Sequence, residues 1–255
     1  MLMIELVDVY KSFKNQRVLD GLNLKIKDGE ITVIIGQSGG GKSVLLKHLI
    51  GLIRADKGEV LIDDVDIASL NDRRLNEVRK NFGMLFQEAA LFDSMTVGEN
   101  VAFPLREHTR LTERQIAEIV KQKLLQVGLK DVIHKMPSEL SGGMRKRVGL
   151  ARAIALDPRI ILFDEPTTGL DPITTDAIDR LIVDTQKQTG ATCVIISHDI
   201  ESTFKVAHTV AMLYKGKIIA VGDPETVKRS PNPALQQFIQ GKAEGPITED
   251  YVSDM

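Results

Sequence analysis

The stretch GQSGGGKS, residues 36–43, sets glycines around a serine and closes on Lys-Ser. Glycines let successive backbone N–H groups converge on an anion. Lys42 adds positive charge at the same place, and the Ser43 hydroxyl is a hard oxygen donor suited to magnesium. The pattern fits a loop between strand and helix that cradles the β and γ phosphates of a nucleotide. The candidate contacts are Gly36, Gln37, Ser38, Gly39, Gly40, Gly41, Lys42, Ser43 and Val44. A second stretch, RIILFDEP, ends an apolar run in Asp164 and Glu165. That places two carboxylates at the carboxyl end of a buried strand, where ligands sit in α/β sheets. Asp164 would hold magnesium through its water shell, and Glu165 would orient or deprotonate an attacking water. His198, in ISHD, also follows an apolar run and could contact the γ-phosphate and couple to Glu165. Gln87, at the end of GMLFQ, could reach the metal or the water. His48, His108, His134 and His208 read as structural.

A third stretch, LSGGMRKRVGL from Leu140, opens a basic helical run behind a serine and two glycines. A helix start points unpaired N–H groups outward, so this is a second place to hold an anion. Ser141, Gly142 and Gly143 are its candidate contacts.

Strands and helices must position these groups. Alternation predicts strands over Met3–Val9 and Val18–Ile26, and ITVIIG is a short apolar strand running into the glycine loop. A helix is predicted from Lys42 to about Ile50, a strand at GEVLID, and a polar surface helix at NDRRLNEVRKN. Thr96 with Glu99, and Thr112 with Gln115, have capping-box spacing, the second opening a helix that stops at Gly128. RIILFD and TCVIIS read as buried strands separated by a helix from Pro172 to about Gln188. TVAMLYKGKIIAVGDP reads as a hairpin turning at Lys215 and Gly216. Strands alternating with helices predict an α/β fold with a largely parallel sheet covered on both faces, and a mostly helical insertion at about 88–140.

Composition narrows the classes. The 255 residues carry 33 Lys and Arg against 35 Asp and Glu, a net charge of -2, which offers no basic field for a nucleic acid. The single cysteine, Cys193, lies in an apolar run and reads as a small core residue, so no disulfide framework is expected. The amino terminus has acidic residues where a signal peptide needs an apolar core, and no apolar run is long enough to cross a bilayer.

Taken in order, the phosphate loop, Gln87, LSGG, FDEP, GLD and SHD resemble the ATP-binding-cassette ATPases over nearly the whole chain. The resemblance implies a P-loop NTPase core of RecA-like type at 1–240, with an antiparallel β subdomain and an inserted helical subdomain. It implies ATP and Mg2+ as cofactors, the metal held through Ser43, Gln87 and Asp164, and hydrolysis carried by Glu165, His198, Gln87 and Lys42. It implies that two copies meet head to tail, so that Ser141, Gly142 and Gly143 of one close over the ATP on the phosphate loop of the other. Asp171, in TTGLD, matches the loop that crosses this interface. Phe13 matches the aromatic stacked on adenine, with Tyr10 the alternative. Met144 stands where the family often has glutamine, and Gln37 where many relatives have proline.

The segment EAALFDSMTVGENVAFPLREHT matches the surface that receives a cytoplasmic helix of a membrane subunit. This segment, with MPSELSGGM, LARAIALDP and DEPTTGLDPIT, is similar to the ATPase subunit of Mla-type phospholipid transport systems. That likeness implies two integral membrane permease subunits, Mce-domain lipid-binding proteins, in some systems a small STAS-domain protein, and a peripheral place on the cytoplasmic face of a bacterial inner membrane. The competing readings are a cassette ATPase serving another solute, a soluble cassette ATPase of DNA repair or translation, and a plain P-loop switch or kinase. The tail at 241–255 is polar and acidic, and such tails are usually solvated. Within it Ile247, Tyr251 and Val252 are the expected anchors of a contact with the partner copy.

Overall fold

The computed structural model describes residues 4–253, with side chains as far as Glu249. The chain forms two compact units, one made of residues 1–68 and 197–255 and the other of residues 69–196.

The first unit opens with β1 (Ile4–Phe13), β2 (Gln16–Ile26), β3 (Ile31–Ile35), α1 (Lys42–Leu49), β4 (Lys57–Ile62) and β5 (Val65–Asp66). β1 pairs antiparallel with both β2 and β4, giving a four-stranded sheet in the order β2, β1, β4, β5. Alternation alone would end β1 at Val9, and the predicted start at Met3 lies outside the described residues. The strand continues because a bulge at Asp8, with φ of 47°, absorbs one residue, and pairing with β2 resumes at Val9 opposite Leu22. Asn23 fastens the bulge, accepting from the Asp8 amide at 3.0 Å and donating to its carboxylate at 2.8 Å. The extension carries Phe13 to the turn at Lys14 and Asn15.

The second unit contains α2 (Asp72–Arg79), β6 (Phe82–Leu85), α3 (Val97–His108), α4 (Glu113–Gln126), α5 (Gly142–Ala153), β7 (Ile160–Asp164), α6 (Pro172–Thr189) and β8 (Thr192–Ser197). β6, β7 and β8 are parallel neighbours in register, Leu162 lying between Met84 and Val194. Ile160 to Phe163 are all buried, which explains the absence of polar alternation in that run. Both capping boxes form. Thr96 accepts from the Glu99 amide while Glu99 reaches back to the Thr96 amide at 2.7 Å, and Thr112 and Gln115 repeat the exchange. The helices of the predicted insertion thus share a unit with α5, α6 and three parallel strands.

The chain then returns to the first unit as α7 (Ile200–Val206), β9 (Thr209–Tyr214), β10 (Lys217–Gly222), α8 (Pro224–Lys228), α9 (Pro233–Gln240) and α10 (Pro246–Ser253). β9 runs parallel to β3 and antiparallel to β10, turning at Lys215 and Gly216 as the sequence predicts. His208, read as structural, accepts from the Ile31 amide through Nδ1 at 3.0 Å and so pins the start of β3. Cys193 is buried in β8, and burial pushes its thiol up to about 12.

The tail departs from expectation. It is a helix packed on α9 rather than a solvated extension, because the Gln237 side chain binds it at both polar ends: Oε1 accepts from the Ile247 amide at 2.8 Å and Nε2 donates to Thr248 Oγ1 at 2.6 Å. Ile247, expected to face a partner copy, is 6% exposed against its own chain. The side chains of Tyr251 and Val252 lie outside the described residues.

Asn100 is a well-connected buried polar group of the second unit. Fully buried, it accepts from the Phe92 amide at 2.8 Å and donates to the carbonyls of Phe92, Met95 and Thr96 at 3.0–3.1 Å. Asn100→Ala leaves these groups unpaired and should lower the unfolding free energy by about 2 kcal/mol. The expected result is a reduced denaturation midpoint at unchanged slope.

Candidate functional site

In the first unit the phosphate loop follows the fully buried strand β3 and opens α1. Gly36 has φ of 155°, and a Cβ there would meet the Leu213 carbonyl oxygen at 2.4 Å. Gly41 has φ of 96°, and a Cβ would press on Val18 at 2.9 Å. Side chains at either place would force the loop open. Gly41 is also the N-cap of α1, and no side chain caps that end. A helix start of this kind suits an anion, with the helix dipole in support. Lys42 is buried, its ammonium donating to the carbonyls of Gly36 and Gln37 at 2.8 Å each. Ser43 follows in the first turn. Val44 also lies there, and its carbonyl is engaged by His48 Nδ1 at 2.7 Å. Beside the loop is a cavity of about 350 Å³ whose lining includes Arg17, Val18, Ser38, Gly39, Gly40 and Ile247.

Phe13 is 43% exposed at the end of β1, with the Lys11 ammonium over its ring at 5.5 Å. Tyr10 is already committed, its ring lying where a Cβ on Gly21 would need to be. Of the two aromatics the sequence leaves open, Phe13 is the one available for stacking. His198 is exposed immediately after β8, where Asp199 begins α7 by accepting from the Ser202 amide at 3.0 Å.

In the second unit Asp164 ends β7 and Glu165 follows with φ of 50°, a left-handed conformation that a non-glycine residue adopts at some cost. The backbone is held there from one side by the Glu165 amide donating to the Ile196 carbonyl at 3.0 Å. Thr168 Oγ1 donates to Glu165 Oε2 at 3.2 Å and orients the carboxylate. Gln87 is exposed two residues beyond β6. Its carbonyl and that of Glu165 both accept from the ammonium of Lys146, the second at 3.3 Å. Burial pulls Lys146 below the usual lysine range, while Glu88, Glu165 and Asp164 work against that.

Ser141 caps α5, its Oγ accepting from the Met144 amide at 3.3 Å. Gly142 and Gly143 form the first turn, and a Cβ on Gly143 would meet Thr174 Cγ2 at 2.7 Å. The glycine is needed for this close approach to α6. Asp171 caps α6, accepting from Thr174 Oγ1 at 2.5 Å and from the amides of Ile173 and Thr174 at 3.0 Å. The Thr174 hydroxyl first, and then these amides, hold its carboxyl below the usual range.

Sequence reading missed Lys146, Thr168 and Thr174. The available signal for Lys146 was its place on the stripe shared with Gly149, Leu150 and Ala153, a helical face otherwise without charge. The two threonines had no signal, since their contacts follow from how the main chain turns.

A groove of about 430 Å³ also lies in this unit, lined by Phe82, Phe86, Phe92, Phe103, Pro104 and Arg152 among others. Phe92 and Phe103 pack with ring centroids 4.9 Å apart. Arg152 donates to the carbonyls of Ala89 and Ala90 at 2.7 Å each and stands over the Phe92 ring at 5.9 Å.

The donor set proposed for a cation is oxygen only, from serine, aspartate and glutamine. Among the described residues no cluster of three or more His, Cys, Asp or Glu could make a cage. This suits magnesium, which takes one or two protein ligands beside phosphate and water.

The family model described as ABC transporter matches residues 19–168. The probable ribonucleotide transport ATP-binding protein Mkl of Mycobacterium leprae is 46% identical over 244 residues, covering 96% of this chain and 70% of that protein. The intermembrane phospholipid transport system ATP-binding protein MlaF of Haemophilus influenzae is 45% identical over 243 residues, covering 93% of this chain and 92% of that protein. Among solved structures, the dimeric post-hydrolysis state of the ATP-binding cassette MJ0796 bound to ADP and Pi aligns with a TM-score of 0.80 and 32% identity, covering 87% of this chain and 98% of that one. By the family model matched over residues 19–168 and the likeness to these relatives, the chain belongs to the ABC transporter family as an ATP-hydrolysing subunit.

Proposed function

We propose that two copies of this chain enclose ATP between them and use its hydrolysis to drive phospholipid transport through an Mla-type system. The observation that supports the lipid reading is the 45% and 43% identity, over 243 and 249 residues, to two relatives named for intermembrane phospholipid transport. Transport of ribonucleotides, the substrate in the Mkl name, is the second reading. In both, the protein works at the cytoplasmic face of an inner membrane. Among the described residues no helix is long and apolar enough to cross a bilayer, so attachment would come through membrane permease subunits. The aromatic groove beside Gln87 suits an amphipathic helix of such a subunit. Mce-domain proteins and a small STAS-domain protein complete the proposed assembly. The carboxyl-terminal segment 241–255 is proposed to reach the partner copy through Tyr251 and Val252, since Ile247 is occupied within its own chain.

The site residues take these roles. Gly36 to Val44 bind the phosphates through their amides, Lys42 neutralises the β and γ phosphates, and Phe13 stacks on the base. Ser43, Gln87 and Asp164 would hold magnesium, which supplies charge neutralisation at the phosphates when bound. Glu165 orients the attacking water and takes its proton, and His198 contacts the terminal phosphate. Ser141, Gly142 and Gly143 close on the partner's nucleotide with the amides at the start of α5. Because the nucleotide is then part of the interface, ATP stabilises the dimer and hydrolysis releases it.

Glu165→Gln should keep ATP binding, slow hydrolysis at least about a hundredfold and leave ATP-stabilised dimers. Steady-state turnover and sedimentation check this, and turnover at the original rate removes the assigned role. Ser141→Arg should abolish ATP-driven dimerisation while the monomer's nucleotide affinity is unchanged; dimers of normal stability would exclude the shared site. Purification of the native complex in mild detergent, followed by mass spectrometry, should recover bound phospholipid with the membrane partners. Recovery of ribonucleotide other than the bound ATP or ADP would favour the second reading instead.

A further inference from the structure

Lys146 is one of two lysines in the second unit that are buried with less than a tenth of their surface exposed, at 5%; the other is Lys123, at 8%. Their settings differ. Lys123 pairs with the exposed carboxylate of Asp157, an ordinary charge partner. Lys146 carries its charge inward to two main-chain carbonyls, those of Gln87 and Glu165. Removing an ammonium from water is costly, and an apolar side chain at this position would avoid that cost. Keeping the lysine makes physical sense if fixing those two carbonyls is its task.

The two acceptors belong to separate motifs, and the donor belongs to a third. Gln87 leads the loop beyond β6, Glu165 follows β7, and Lys146 sits one turn into the helix that Ser141 caps. The same helix holds the rest of the glutamine loop through Arg152, which binds the carbonyls of Ala89 and Ala90, both at positive φ. Two cations of α5 therefore fasten residues 87–90 to the helix that opens with the serine and glycine pair. Lys146 extends the connection to Glu165.

We infer that Lys146 is a positioning residue for ATP hydrolysis, tying the signature helix and the Gln87 loop to the main chain of Glu165 so that the carboxylate is aimed only when all three are aligned. The inference rests on the role proposed for Glu165. Its physical basis is the strained backbone at that residue. The Glu165 amide is held by Ile196, and its carbonyl accepts from both Lys146 Nζ and the Thr168 amide at 3.3 Å each, so the plane of each flanking peptide is fixed and the side chain leaves the main chain in one direction. Without the ammonium the left-handed conformation at Glu165 loses one of these restraints, and the carboxylate spreads over more orientations. Nucleotide affinity should be spared, because the two carbonyls that Lys146 holds belong to Gln87 and Glu165, not to the residues proposed to bind the base and the phosphates.

The test uses the full chain. ATP turnover is measured with Mg-ATP from limiting to saturating, alongside ATP affinity by equilibrium binding and the melting temperature. Lys146→Met should lower kcat at least about tenfold while KM and the ATP dissociation constant stay within about twofold, the signature of a lost transition-state contribution. Lys146→Arg should recover most of the turnover, since a guanidinium can donate to both carbonyls. Lys123→Met, a burial-matched change in the same unit, should leave kcat near the original value. If the methionine variant does not fold, Lys146→Gln provides the series, with lowered kcat at unchanged KM expected. Turnover within about twofold of the original in Lys146→Met, or a loss matched by Lys123→Met and not restored by arginine, overturns the proposal. Unimpaired hydrolysis in Glu165→Gln is a distinct failure: it removes the role of Glu165 itself and the inference with it.

Discussion

The fold turns on a single electrostatic constraint: the first amides of an α-helix have no partner inside the helix and must find one outside. At α1 the residue before the helix is glycine, no side chain caps it, and the loop closes so tightly that Gly36 nearly touches the Leu213 carbonyl. A helix start of this kind suits an anion. At α5 Ser141 caps by accepting from the Met144 amide, and glycines fill the first turn. Three other long helices add further cap contacts. Thr96 and Thr112 close α3 and α4 with complete capping boxes, and Asp171 closes α6 with two amide contacts and one hydroxyl contact.

The second unit places its chemistry around α5. From that helix Lys146 and Arg152 hold the main chain of the glutamine loop, and Lys146 also reaches Glu165. Asn100 fixes the adjoining turn from Phe92 to Thr96, on the side where the aromatic groove opens. A load applied in the groove would thus meet main-chain hydrogen bonds rather than loosely packed side chains. Such bonds are directional and short, so the loop has little freedom to shift without moving its neighbours. This is the physical means by which a partner docked in the groove could influence the orientation of a carboxylate.

The carboxyl-terminal segment shows how a polar sequence can still be ordered. Its composition predicts a solvated tail, yet one glutamine on α9 supplies both a donor and an acceptor to the start of α10. Ile247 is buried as a result and forms part of the cavity beside the phosphate loop. A local acidic pattern could not reveal this, because the partner that satisfies the backbone is ten residues earlier and on another helix.

What the sequence determined by itself were features encoded by residue type at short range. The phosphate loop needed only glycines and Lys-Ser in order, both capping boxes needed only a three-residue spacing, and β7 needed only an apolar run ending in Asp164. The cassette family followed from the order of the motifs. The tertiary structure decided what depends on residues distant in the chain. It extended β1 through a bulge at Asp8 fastened by Asn23, which brought Phe13 to an exposed position while Gly21 received Tyr10. It turned the Lys146 ammonium onto carbonyls 59 and 19 residues away, a choice invisible in the side chains of either acceptor. Backbone carbonyls are the same in every residue, so only the folded path of the chain can say which of them a buried cation will find.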